Sequence, residues 1–145
     1  MSDIGFTHVA FCVRNLKASL AFYDRYAGLK AVHERKDDGV AWISDLKRPF
    51  VLVLIEDAAH NDTPLGSIGH LGVACTTREE VDRLAALARS EGRLRLGPVD
   101  SGPPVGYWAC IADPDDNTLE VSYGQDVAFT VQGAASIAQP GSHQR

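Results

Sequence analysis

Three side chains spread across the chain carry the chemistry of a divalent-metal site: His8, His70 and Glu120. Neutral imidazole and carboxylate suit Zn, Mn, Fe, Co or Ni, and three protein ligands leave positions open for water or substrate. A structural site more often closes its shell, so an open one points to catalysis or ligand capture. Each residue also has an ordinary reading. A histidine in a strand is more often structural than ligating, and a strand glutamate can face solvent or pair with an arginine. Placement separates these three from the ordinary case. Thr118, Glu120 and Ser122 alternate with Leu119, Val121 and Tyr123. That is the period of a strand whose apolar face packs under a helix. Glu120 then points from the other face, where an unpaired buried charge is costly.

The elements that must position these residues occur twice. Residues 6–13 read as a strand with Phe6, His8, Ala10 and Cys12 on one face. Residues 68–76 read the same way, with His70, Gly72 and Ala74 together. Thr7-His8-Val9-Ala10-Phe11-Cys12-Val13 parallels Gly69-His70-Leu71-Gly72-Val73-Ala74-Cys75. A helix follows each at a matching offset. Asn15 is the N-cap of the first, Leu16, Leu20, Tyr23 and Ala27 its stripe, and Gly28 its stop. Thr77 and Glu80 form a capping box for the second, Val81, Leu84, Leu87 and Ala88 its stripe, and Gly92 its stop. Strands over 29–35 and 40–44 flank an Asp37-Asp38-Gly39 turn, and an almost wholly apolar strand over 49–55 is expected to be covered on both faces. Strands over 93–99, 105–112 and 117–123 complete the second set. The dense turn signal Asp113-Pro114-Asp115-Asp116-Asn117 precedes the last.

The repeat predicts one α+β domain over 1–125. Module one covers about 5–56, a linker 57–66, and module two about 67–124. Residues 126–145 lose periodicity, are rich in Gln, Ser, Ala and Gly, and read as a loosely held tail. Packed about a pseudo-twofold axis, two such modules bring both histidines and Glu120 to one sheltered groove.

Composition narrows the partners. The chain has 145 residues, a formal net charge of −5 and no long basic run. That argues against nucleic acid or an anionic membrane as the main partner. No apolar run approaches the ~18 residues of a membrane helix. Met1-Ser2-Asp3-Ile4-Gly5 lacks the features of a secretory signal. Cys12, Cys75 and Cys110 read as reduced, buried thiols, so a cytoplasmic location is expected.

Over residues 6 to about 125 the chain resembles the vicinal oxygen chelate superfamily. This superfamily includes glyoxalase I, extradiol dioxygenases, fosfomycin-resistance thiol transferases and metal-free bleomycin-resistance proteins. The resemblance rests on Thr7-His8-Val9-Ala10, the 15–28 segment with Phe22-Tyr23, Gly69-His70-Leu71-Gly72-Val73, and Asp113-Pro114-Asp115-Asp116-Asn117-Thr118-Leu119-Glu120. It implies a curved, half-open barrel of two βαβββ modules around a central groove with helices outside. It places His8, His70 and Glu120 at metal-ligand positions. It also implies a homodimer, in which His8 of one subunit can meet His70 and Glu120 of the other.

One departure bears on the reaction. Glyoxalase I draws a further carboxylate from the end of module one, as ligand and base. Here that strand is Phe50-Val51-Leu52-Val53-Leu54-Ile55, without a ligand, and Glu56 follows it at the expected mouth. A three-ligand set fits the dioxygenases and thiol transferases better, although the basic set and potassium loop of the latter are not traceable. Glu56 and Tyr123 are the further candidates for proton transfer. Trp108 and Cys110 share a strand face and either wall a substrate pocket or simply pack the core. Residues 97–106 read either as a lid or as a plain hairpin connection. The expected function is a metal-dependent dioxygenase, lyase or transferase acting on a small substrate with vicinal oxygens. The alternative is a metal-free protein that sequesters a small molecule.

Overall fold

The computed structural model describes residues 5–60, 64–66 and 68–138. Residues 61–63 of the expected 57–66 linker and 139–145 of the expected tail therefore lie outside the described residues. Module one contains β1 (His8–Val13), α1 (Leu16–Ala27), β2 (Lys30–Arg35), β3 (Val40–Ser44) and β4 (Val51–Glu56). Module two repeats this order with β5 (His70–Ala74), α2 (Arg78–Ser90), β6 (Leu94–Asp100), β7 (Tyr107–Ala112) and β8 (Thr118–Tyr123). Each module builds one four-stranded mixed sheet, ordered β1-β4-β3-β2 and β5-β8-β7-β6. The sheets are not closed. The first strand of each runs parallel to the last, with His8 opposite Val51 and His70 opposite Thr118.

Local chemistry explains the helix ends. The Asn15 side chain accepts from the Ala18 amide at 2.9 Å, and Gly28 leaves α1 with a φ of 65°. The Thr77 hydroxyl accepts from the Glu80 amide at 3.1 Å. Both caps satisfy donors that a helix start leaves without intrahelical partners.

A single apolar core joins the modules. Phe11, Val13, Phe22, Tyr23, Leu52 and Leu54 of module one merge with Val81, Leu84, Ala88, Ile111, Leu119 and Val121 of module two. Full burial of one such Leu or Val contributes about 1.5–3 kcal/mol. The helix-covered faces of both sheets enter this core. β4 consequently has one open face: Leu52 and Leu54 are buried, whereas Val51, Val53 and Ile55 are only half-buried. Expected cover on both faces is not present within one chain. Cys12, Cys75 and Cys110 are half-buried thiols.

The C-terminal segment differs from the sequence expectation. Val127–Ala138 is a helix, α3. Its four alanines favour helix, while its lack of a polar face removed the periodicity by which helices are read. Among the described residues no helix is long and apolar enough to cross a membrane.

Candidate metal centre

β5 and β8 bring two of the three predicted ligands together. Gly72 lies opposite Glu120 in the parallel ladder, and His70 opposite Thr118. His70 Nε2 stands 3.5 Å from Glu120 Oε2. The histidine side chain is 47% exposed and the carboxylate 14%. His70 Nδ1 lies 3.1 Å from the Ile68 carbonyl oxygen. A carbonyl only accepts, so that contact places a proton on Nδ1, and a neutral ring then turns its Nε2 lone pair to Glu120. With the ring neutral, two acceptors face each other across this gap; with the ring protonated, the contact is an ion pair. Ligands ~2.1 Å from a common ion stand about 3.0–3.4 Å apart, and the observed 3.5 Å is just outside that span. The Nδ1–carbonyl contact is the kind of outer support that orients metal-binding histidines.

The surrounding residues shape this pair. The Gln125 side-chain amide donates to Glu120 Oε1 at 3.2 Å and contacts the Val105 carbonyl at 3.4 Å. It holds the oxygen turned away from His70. Gly106 makes that loop approach feasible: its φ is 85°, and a Cβ there would sit 2.4 Å from the Tyr123 carbonyl oxygen. Cys110 lies opposite Glu120 on β7. Burial, and then the Glu120 charge, push its thiol pKa up, which disfavours a nucleophilic thiolate. Trp108 lies two positions away, opposite Ser122, and its indole donates to the Ser101 hydroxyl at 2.9 Å. Arg95 donates to the Thr118 hydroxyl at 3.1 Å and pairs with Asp116 at 3.3 Å. Gln125 and Arg95 were missed by sequence reasoning. Gln125 follows Gly124, whose φ of 74° turns the chain back; that glycine was the available signal. Arg95 gave none.

His8 lies elsewhere on the molecule. It lines a depression of about 680 Å³ on the open face of module one, with His33, Trp42, Arg48, Phe50 and Val53 among its neighbours. Every residue lining it belongs to module one. His8 Nδ1 is 2.9 Å from the Thr7 hydroxyl. Among the described residues no three His, Cys, Asp or Glu side chains are grouped closely enough to hold a metal. The expected convergence of His8 with the other two is therefore not met inside one chain. The cause is the shared core, which turns both open faces outward. A clasp fixes the arrangement: the Tyr23 hydroxyl donates to Asp113 Oδ2 at 2.7 Å, and the Arg14 amide to Asp115 Oδ1 at 2.9 Å.

The register also shows why the duplication is unequal. Ala10 is opposite Val53 as Gly72 is opposite Glu120. Val53 is thus the module-one counterpart of Glu120 and offers no ligand. Glu56 sits opposite Val13, at the far end of the ladder from His8. Its carboxylate accepts from the Leu16 amide at 2.7 Å and helps cap α1. Tyr123 ends β8 on the side of Leu119 and Val121, exposed and away from the Glu120 face. Residues 97–106 divide between the end of β6 and a short connection to β7.

Known proteins share this architecture. A possible glyoxalase of Bacillus cereus superposes with a TM-score of 0.66 at 22% identity, covering 83% of this chain and 99% of its own. A genomically encoded fosfomycin resistance protein of Listeria monocytogenes gives a TM-score of 0.66 at 15% identity, covering 85% and 95%. The trypanothione-dependent glyoxalase I of Leishmania major gives 0.61 at 17% identity, covering 94% and 98%. These likenesses concern the fold. In sequence, an uncharacterised protein of Pseudomonas aeruginosa is 33% identical over 123 residues, 82% of this chain and 88% of that protein. The sequence model of the Glyoxalase/Bleomycin resistance protein/Dioxygenase superfamily matches residues 5–121, and the chain belongs to that superfamily.

Proposed function

We propose that the protein is a metal-dependent enzyme acting on a small substrate with vicinal oxygens, and that its site is completed by pairing two chains. His70 and Glu120 of one chain and the partner's His8 would hold a divalent Fe, Mn, Zn, Ni or Co ion. The observation that carries this reading is the 3.5 Å gap between His70 Nε2 and Glu120 Oε2, with His70 Nδ1 held by a carbonyl. Two imidazoles and one carboxylate leave coordination positions for substrate. When bound by these residues, such an ion would supply Lewis acidity toward a vicinal-oxygen anion, or redox chemistry if it were Fe(II).

The remaining chemistry belongs to the side chains. Trp108 forms an apolar wall fixed by Ser101, and Arg95 supplies a positive charge near the His70 end of the face. Gln125 keeps one Glu120 oxygen occupied so that the other faces the ion. The half-buried thiols suit a reducing, cytoplasmic setting. Equilibrium dialysis against Zn, Mn, Fe(II) and Ni tests the reading. The parent chain takes up metal and Glu120→Gln loses most of it, with the fold intact because Leu119 and Val121 still supply the core face. Equal uptake by both removes Glu120 from the site, and no uptake by either favours a metal-free binder. A panel of small vicinal-oxygen substrates, run on metal-loaded protein, then identifies the reaction.

A further inference from the structure

We infer that α3 is an arm that docks on a second copy of this chain, against the open face of the partner's module one beside its Trp42. The inference rests on the shared site proposed above. α3 follows β8 and lies beyond residue 121, where the superfamily match ends. Its twelve residues contain no charged side chain, and all of them are exposed. Phe129 is 77% and Ile137 85% exposed, and Val127 and Val131 are also uncovered. The helix's only polar side chains are Thr130, Gln132 and Ser136, and its large apolar side chains find no partner surface among the described residues of the chain.

The root of the helix identifies that partner. Asp126 donates its amide to the Pro104 carbonyl at 3.0 Å, and the preceding Gln125 holds Glu120. α3 therefore springs from the rim of the module-two half-site. The ligand missing at that half-site is a second copy's His8. Bringing it there seats the partner's module-one face against the same rim. That face carries the matching surface: Val32 and Trp42 are exposed on it, and Phe50, Val51 and Val53 line the depression next to His8. A twelve-residue helix is about 18 Å long. By twofold symmetry each chain gives an arm and receives one.

The test places the photo-crosslinker p-benzoylphenylalanine at Phe129 in the full chain. Ordinary and 15N-labelled chains are mixed, and crosslinked peptides are mapped by mass spectrometry. The inference predicts mixed-isotope crosslinks into residues 32–53. Crosslinks confined to one chain, crosslinks to another region, or none overturn it. A chain ending at Asp126 retains Gln125 and should dissociate at roughly 100-fold higher concentration in sedimentation. Unchanged dimerisation of that chain also overturns the arm. Metal uptake by the full chain, measured separately, distinguishes the two ideas. Crosslinking without metal uptake refutes the metal site and leaves the arm, whereas uptake without crosslinking refutes the arm alone.

Discussion

Glu120 has two oxygens with different neighbours, and that asymmetry organises the residue scale. Oε1 accepts from Gln125, and Oε2 faces His70. If this division orients the ligand, Gln125→Ala should weaken metal binding by about 10–100-fold. Its thermal midpoint should hardly change, because Gln125 is exposed. Titration calorimetry with Zn reads the affinity, and an unchanged affinity would mean that the amide contact is incidental. Proton competition gives a second expectation. An imidazole must be neutral to ligate, so uptake is complete above the histidine range and lost below it. Dialysis between about pH 8 and about pH 5 spans that range. Constant uptake across it would exclude both histidines.

At the scale of elements, the 113–117 turn clasps α1. Asp113 Oδ1 accepts the amides of Asp115 and Asn117, and Oδ2 the Tyr23 hydroxyl. Burial raises the Asp113 pKa, while these donors pull it down. Tyr23→Phe removes one donor from a buried carboxylate, and should cost about 1–3 kcal/mol at neutral pH. The loss should be largest with Asp113 ionised and shrink as pH falls through its raised pKa, since the protonated acid needs the donor less. Urea unfolding of both proteins over that interval checks the sign, and a pH-independent loss would contradict it. The turn itself was legible because Pro, Asp and Asn encode it locally, and so were both helix starts at Asn15 and Thr77. The use of Glu56 to cap α1 was not legible, because forty positions separate it from Leu16. α3 was hidden by the absence of any polar face to set a period.

For the whole molecule, the repeat was legible because His8 and His70 stand at the same place in two similar strands. Alternation assigns each residue to a face of its own sheet. It carries no information on which sheets meet, and that depends on the shared core around Tyr23, Leu84 and Leu119. The core turns both open faces outward, so the proposed set of His8, His70 and Glu120 would be completed only by pairing two chains. The decisive measurement mixes two defective proteins. His8→Ala and Glu120→Gln, each purified alone, should take up little metal. After unfolding and refolding together, each mixed dimer contains one intact set: His8 from the Glu120→Gln chain with His70 and Glu120 from the His8→Ala chain. Metal analysis should find roughly one ion per mixed dimer. If refolding the two together restores no more metal than either holds alone, a site shared between chains is contradicted.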